Sequence, residues 1–143
     1  MLDNKFYEFI DQHHVMGLSV SKNNLPYSFS CFYSYLKDKN LFIFSSDIET
    51  THAQIFIENN CVSGTIHLET KTVGKIQGLQ LTGKLIKPEG DLKKIVRKKY
   101  LSDFPYAAPA LLKTKLWVIE PNFFKLTDNR LGFGKKLIWE KQF

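Results

Sequence analysis

The sequence predicts a mainly β fold of the α+β class, an antiparallel barrel with a few peripheral helices. Several segments alternate apolar and polar residues with period two, or are rich in β-branched and aromatic residues, as strands are. Short polar turns join most of these segments, which favours hairpins over a parallel βαβ arrangement. The 143 residues, 43% hydrophobic and 24% charged, suffice for one globular core. We therefore predict one domain spanning residues 1–143.

The chain begins with a predicted amphipathic helix, Leu2–Gln12, because Leu2, Phe6, Phe9 and Ile10 share one face at helical spacing. The segments predicted as strands are His14–Ser21, Tyr27–Leu36, Leu41–Ser45, Cys61–Leu68, Lys75–Lys87, Lys115–Glu120, Phe123–Thr127 and Lys136–Glu140. The polar turn between the second and third of these predicts a hairpin, and the glycines of the fifth predict bends or bulges.

The second predicted strand has two different faces. One is bulky and aromatic, whereas Ser28, Ser30 and Ser34 lie on the other face beside Phe32. A serine-lined face lets a flat ligand lie close to the backbone. An ordinary solvent-exposed polar face is the alternative interpretation.

The third predicted strand runs directly into a helix that we expect to begin near Asp47. Ser46 and Glu49 have the spacing of a capping box, with the hydroxyl at the N-cap and the carboxylate three residues later. Ile48, Ile55 and Phe56 would then face the core at helical spacing.

The start of this helix is unusually polar, with Ser45, Ser46, Thr50, Thr51 and His52 close together. A helix N-terminus has unpaired backbone N–H groups and the positive end of the macrodipole, so it binds anions. Hydroxyls and an imidazole gathered there suit a terminal phosphate. A plain N-cap with solvated neighbours is the other interpretation, and both stay open at this point.

Cys31 and Cys61 lie alone in strand-like runs, where we expect buried, reduced thiols rather than a disulfide. The closely spaced ligand pairs of a zinc site are missing, so no metal is expected. No apolar run approaches the roughly 18 residues of a membrane span, and the first residues carry acids rather than a signal-peptide pattern. We expect a cytoplasmic protein.

The net charge of +6 favours anionic partners, including nucleic acids as a class. The basic residues concentrate only in a predicted helix, Asp91–Tyr100, which could contact phosphates or could simply be a solvated face. It lacks the alternation of aromatic and basic residues found in single-strand binders, so nucleic acid is not an expected partner.

Two loops of the C-terminal half differ in their composition. Phe104–Leu112 is interrupted by two prolines and is apolar enough to be covered by an intersubunit contact. Asp128–Lys135 contains two glycines and carries Asn129, Arg130 and Lys135.

Two motifs resemble a known family. They are the junction Ser46-x-x-x-Thr50-x-His52, followed by Ala53 and Gln54, and the C-terminal FKLTDNRLGFGKKLIW (Phe124–Trp139). Over nearly its whole length the chain resembles the pyridoxamine phosphate oxidase-like FMN-binding split barrels, and within them a small uncharacterised bacterial group. The resemblance implies a split β-barrel, bound FMN, and a homodimer with two FMN sites between the subunits.

The resemblance also implies which residues contact the cofactor. Phosphate contacts are implied for Ser46, Thr50, Thr51 and His52. Contacts with the isoalloxazine ring are implied for Ser30, Cys31, Phe32, Ser45 and Gln77. Two residues of the C-terminal loop, Asn129 and Lys135, are expected to approach the cofactor of the partner subunit.

The chain departs from the family at two places. His52 stands where the family usually has Lys or Arg, so the affinity for phosphate should depend on imidazole protonation. The second strand also lacks the Arg that the true oxidases place against the cofactor.

Two functions follow as hypotheses. The first is a flavin-dependent oxidoreductase with unknown substrate, in which the cofactor supplies the redox chemistry. The alternative is a non-catalytic module that holds FMN or haem, with His13, His14 or His67 available as an axial ligand. No catalytic residue is identified, although Tyr33, Tyr35 and His67 are candidate acids or bases.

Overall fold

The computed structural model describes residues 2–142, so residues 1 and 143, the two ends of the predicted domain, lie outside the described part. The strands are β1 (Val15–Lys22), β2 (Leu25–Phe32), β3 (Ser34–Leu36), β4 (Leu41–Ser46), β5 (Cys61–His67), β6 (Gln77–Ile86), β7 (Lys115–Asp128) and β8 (Lys136–Glu140). The α-helices are α1 (Asn4–Asp11), α2 (Thr51–Glu58) and α3 (Gly90–Asp103). No helix within residues 2–142 has the length and apolar character to cross a membrane.

The strands form one antiparallel sheet in the order β2-β1-β5-β6-β7-β4-β3, with β8 added to β7. The sheet curls until Phe29 of β2 approaches Phe44 of β4, with their ring centroids 6.2 Å apart. These two strands are not hydrogen-bonded neighbours, so the barrel is split between them. The predicted antiparallel split barrel with a few helices is confirmed.

The alternation of side chains along β4 builds two cores. Phe42 and Phe44 face the barrel interior, which α1 closes with Phe6 and Ile10. Leu41 and Ile43 face the opposite side, where α3 packs through Val96 and Tyr100. Each such side chain stabilises the fold by about 1.5–3 kcal/mol on burial. Both faces of β4 are therefore covered, and its C-terminal end is held in a fixed position.

The predicted strand Tyr27–Leu36 is divided between β2 and β3 by Tyr33. The Tyr33 amide donates to the His14 carbonyl at 2.9 Å, and its hydroxyl donates to the Ile10 carbonyl at 2.7 Å. β2 consequently pairs with β1, whereas β3 forms the predicted hairpin with β4.

The two strands predicted at Lys115–Glu120 and Phe123–Thr127 are wrong as separate elements, because they form the single strand β7. Pro121 cannot donate a hydrogen bond to the sheet, and it lies opposite Gly83, where the register with β6 shifts. This bulge accommodates the proline without ending the strand.

Both cysteines are free thiols, as predicted, but only one is shielded from solvent. Cys31 is partly buried on the barrel side of β2, and Cys61 is exposed on the outer face of β5. The prediction of a buried thiol is wrong for Cys61, because its neighbours in the strand, not Cys61 itself, occupy the inward positions.

Candidate functional site

α2 begins after the predicted start near Asp47. The Asp47 carboxylate accepts a hydrogen bond from the Glu49 amide at 2.9 Å, which fixes a turn between β4 and α2. The Thr50 hydroxyl accepts from the Ala53 amide at 3.3 Å and is the N-cap. The predicted capping box of Ser46 and Glu49 is therefore wrong, because Glu49 belongs to the turn.

The later start of α2 also changes which residues face the core. Ile48 lies in the turn and is exposed, contrary to the prediction, whereas Phe56 is buried and Ile55 partly buried. Ser46, freed from capping, is buried at the end of β4 and is available to other partners.

A cluster of hydroxyls and one imidazole forms where β4 meets α2. It consists of the four residues expected to contact phosphate, and we call it the phosphate cluster: Ser46, Thr50, Thr51 and His52. Ser46 Oγ lies 2.8 Å from His52 Nε2 and 3.4 Å from Thr50 Oγ1. Thr50 Oγ1 also donates to the Asp47 carbonyl at 2.7 Å. Three members are thus connected by hydrogen bonds, while Thr51 is exposed at the first position of the helix.

The His52 imidazole is held flat against Phe29. The two rings are stacked with centroids 3.8 Å apart and an interplanar angle of 8°. Burial disfavours the charged imidazolium and lowers the pKa of His52 from its ordinary value. Phe29 was not among the predicted site residues, because the alternation along β2 places it on the inward face but does not reveal that α2 crosses there.

The backbone adds donors to the same place. The amides of Thr51 and His52 have no acceptor within the described residues, as is usual in the first turn of a helix. With the helix dipole, the Ser46 hydroxyl and the imidazole, they form a small set of donors suited to an anion. The set contains no permanent cation.

Ser45 points away from the phosphate cluster, because neighbouring residues of a strand face opposite sides. Its hydroxyl donates to Thr114 Oγ1 at 2.7 Å, and Thr114 donates in turn to the Ala110 carbonyl at 3.0 Å. Ser45 is thus tied to the turn that precedes β7.

The three residues predicted from β2 do not share one face. Ser30 and Phe32 are exposed on the outer face, with Phe32 near Phe104 at 5.6 Å between centroids. Cys31 faces inward, and burial raises the pKa of its thiol to about 12.

Gln77, Asn129 and Lys135 lie at the other end of β7. Gln77 is the strand partner of Asp128 at the last residue of β7, whereas Ser46 is the partner of Lys115 at its first. An extended strand of this length spans about 40 Å. Within one chain, these three residues and the phosphate cluster are therefore not brought together.

The loop after β7 is internally fixed. The Asn129 side chain donates to the Val73 carbonyl at 2.8 Å and accepts from the Gly134 amide at 3.1 Å. The Arg130 side chain donates two hydrogen bonds to the Asp128 carboxylate, at 3.0 and 2.8 Å, and holds the pKa of that carboxyl below its ordinary value. Lys135 is exposed.

Of the candidate acids and bases, Tyr33 and Tyr35 are buried whereas His67 is exposed. The Tyr33 and Tyr35 hydroxyls donate to the Ile10 carbonyl and to Asn40 Oδ1, both at 2.7 Å, and burial raises the pKa of each tyrosine. Their hydroxyls thus have structural partners. His67 is exposed at the end of β5.

Solved structures share this architecture at low sequence identity. A haem-binding protein from Mycobacterium smegmatis superposes with a TM-score of 0.79 at 15% identity, covering 92% of this chain and 55% of that one, so this chain spans about half its length. A FAD-binding protein from Mesorhizobium loti gives 0.69 at 17% identity, covering 88% and 94% of the two chains. A pyridoxamine 5′-phosphate oxidase-related, FMN-binding protein from Nostoc punctiforme gives 0.65 at 11% identity, covering 90% and 81%. The fold is that of the split-barrel proteins, whose members named here bind flavins or haem.

Sequence relatives define the family more narrowly. A UPF0306 protein of Photorhabdus laumondii is 32% identical over 135 residues, which is 94% of this chain and 93% of that protein. A UPF0306 protein of Klebsiella pneumoniae is 36% identical over 133 residues, covering 93% and 89%. The chain belongs to the UPF0306 family. No family model matches the sequence.

Proposed function

We propose that this protein binds FMN as a homodimer and is a flavin-dependent oxidoreductase of the pyridoxamine phosphate oxidase-like class. The observation that carries the proposal is the phosphate cluster, in which Ser46, Thr50 and His52 are joined by hydrogen bonds at the start of α2. Solved split-barrel proteins that bind FMN or FAD support the choice of ligand.

The donors of the phosphate cluster suit the terminal phosphate of FMN. The amides of Thr51 and His52 each supply one donor, and the hydrogen-bonded pair of Ser46 and His52 supplies at least one more, because a single proton is shared between Ser46 Oγ and His52 Nε2. The helix dipole favours negative charge there. Phe29 fixes the imidazole plane, which lowers the entropy lost when a ligand is bound. When bound, FMN supplies the hydride or electron chemistry, while the chain binds and orients it.

A second subunit would complete the site. Gln77, Asn129 and Lys135 lie too far along β7 to join the phosphate cluster of their own chain, so in this proposal they serve the cluster of the partner. Large exposed apolar side chains in the segments before and after β7 are available for such an interface. Their exposed fractions reach 94% for Tyr106 and 82% for Phe133.

The alternative function is a module that holds haem without turnover. One specific observation favours it: a cavity of about 340 Å³ is lined by His13, His14 and Tyr33 among others. His13 Nδ1 donates to the Phe9 carbonyl at 2.9 Å, which leaves Nε2 as the atom able to ligate iron.

Ligand titrations distinguish the two functions. We expect FMN to bind about tenfold or more tightly than riboflavin, because only FMN carries the phosphate. Equal affinities would overturn the assignment of the phosphate cluster. A Soret band on haem titration that is lost in His13→Ala, with no uptake of FMN, would establish the haem module instead. Anaerobic reduction of the FMN-loaded protein by NADH or NADPH tests the redox activity, with dithionite as the positive control. If dithionite reduces the bound FMN but neither NADH nor NADPH does, the proposed activity is contradicted.

A further inference from the structure

A cavity of about 410 Å³ lies between α3, the Ala110–Leu112 turn and the start of β7. Its lining is unusual in charge, and we call it the basic cavity. Its five cationic side chains are Lys87, Lys93, Arg97, Lys113 and Lys115.

The positive charge of the basic cavity is uncompensated. None of its lining residues is acidic, and none of the five cations forms an ion pair with another residue in the range 2–142. Lys99 of the same helix, in contrast, pairs with Asp103 at 3.3 Å. Like charges at positions i and i+4, such as Lys93 and Arg97, weaken a helix slightly. A concave surface with one sign of charge also concentrates ligands of the opposite sign.

The remaining walls of the basic cavity are apolar. Leu111, Leu116, Pro88 and Trp117 line it beside the hydroxyl-bearing Thr114. Charged groups beside an apolar wall suit a molecule that has both phosphates and a ring. The volume falls in the range of about 300–1,000 Å³ that is usual for small-molecule sites.

We propose that the basic cavity binds a small phosphorylated ligand of the nucleoside diphosphate type, with its phosphates on the five cations and its ring on the apolar wall. This site is separate from the phosphate cluster, because no residue lines both. The two sites are nonetheless close along the sheet. Lys115 is the strand partner of Ser46, and Thr114 bonds to Ser45. The inference holds whether or not the phosphate cluster binds FMN.

Helix α3 offers a matched pair of variants. Lys93→Gln/Arg97→Gln and Lys94→Gln/Lys98→Gln each remove two positive charges from α3, but only the first pair lines the basic cavity. We expect ADP, titrated by calorimetry, to bind at least about tenfold more weakly to the first variant and to change by less than about twofold in the second. Lys113→Gln, on the turn rather than the helix, should also weaken ADP binding and guards against a folding defect in α3.

Further measurements locate the ADP. Binding should persist in His52→Ala and in the presence of saturating FMN. The chain contains two tryptophans, and ADP should quench the fluorescence of Trp139→Phe but not of Trp117→Phe.

Several outcomes would overturn the proposal. Equal weakening in both double variants would mean that ADP responds only to overall charge. Loss of binding in His52→Ala, or displacement by FMN, would place ADP in the phosphate cluster. Tight binding of a single-stranded oligonucleotide that depends on Lys94 and Lys98 as much as on Lys93 and Arg97 would indicate a nucleic-acid surface instead. Absence of ADP binding at millimolar concentration and low salt would also contradict it.

Discussion

Replacing His52 by Ala is the sharpest test of the phosphate cluster. In the structure the imidazole lies 2.8 Å from Ser46 Oγ and is stacked on Phe29. Loss of one charge-assisted hydrogen bond to phosphate costs about 1–3 kcal/mol, which corresponds to a Kd about 5- to 150-fold weaker. Because burial lowers the pKa of His52, the imidazole must first be protonated before its positive charge can strengthen the hydrogen bond to phosphate. We therefore expect the lower part of this range near neutral pH.

The measurement is a fluorescence titration with FMN and, in parallel, with riboflavin. Only the FMN affinity should fall in His52→Ala. His67→Ala is the matched control, since that histidine is exposed at the end of β5. Thermal unfolding must accompany the titration, because loss of the ring stack with Phe29 is itself expected to lower stability by about 0.5–1.5 kcal/mol. An FMN affinity unchanged within about twofold in a folded His52→Ala protein would refute the reasoning.

The pH dependence has a defined sign. Phosphate favours the protonated imidazole, whose pKa in the free protein lies below its ordinary value of 6.5. FMN binding should therefore take up protons, and affinity should rise as the pH falls from about 8 toward the second pKa of the phosphate near 6. His52→Lys places a permanent cation there, so it should bind FMN more tightly and with a flatter pH profile over this range. A steeper profile for His52→Lys than for the unmodified protein would contradict this explanation.

Three further predictions concern the scaffold of the site. Thr50→Ala removes the N-cap of α2 and should lower the free energy of unfolding by about 0.5–2 kcal/mol, whereas Thr51→Ala at the exposed next position should have little effect; equal effects in thermal melts would contradict the cap. Gly83→Ala would bring a Cβ to 2.5 Å from the Glu120 carbonyl oxygen, so overpacking should lower the free energy of unfolding by about 1–3 kcal/mol. Denaturant unfolding is the measurement, and the control is Gly74→Ala, whose added Cβ would have no atom of the described residues within 4 Å. Arg130 holds the pKa of Asp128 below its ordinary value of 3.8, so the stability that this pair contributes is present above that pH and is lost as the pH falls below it. Arg130→Gln should therefore be less stable than the unmodified protein near pH 6, and the difference should shrink as the pH falls below 3.8 and Asp128 becomes protonated. A difference that stays constant into acid would exclude the ion pair as its cause.

The fold was largely predictable because its signals are local. Phe6, Phe9 and Ile10 recur at helical spacing and are buried on α1 as expected. The alternation of β5 and β6 likewise matches the side chains that face the core. Where two local signals compete, prediction fails: the Asp47 turn displaced the capping box of Ser46 and Glu49.

The candidate site was predictable only where its residues are close in sequence. Ser46, Thr50 and His52 lie within seven positions, and the structure joins them by hydrogen bonds. The stack of His52 on Phe29 depends on how far the barrel curls, which no local pattern encodes. The basic cavity combines Lys93 and Arg97 of α3 with Lys113 and Lys115 near the start of β7. Because these residues are far apart in sequence, their common surface could not be predicted from a local pattern.

The two cysteines provide a chemical reporter of the barrel. The thiolate is the reactive form of cysteine. With its pKa raised to about 12, Cys31 is only ~10⁻⁴ ionised at pH 8, whereas Cys61 is open to solvent. Ellman's reagent should therefore modify one thiol rapidly in the folded protein and the second only when β2 separates from the core. The rate at which Cys31 is modified therefore measures how often β2 opens. Because Phe29 lies on the same strand and stacks on His52, a ligand that holds His52 in place should slow this reaction.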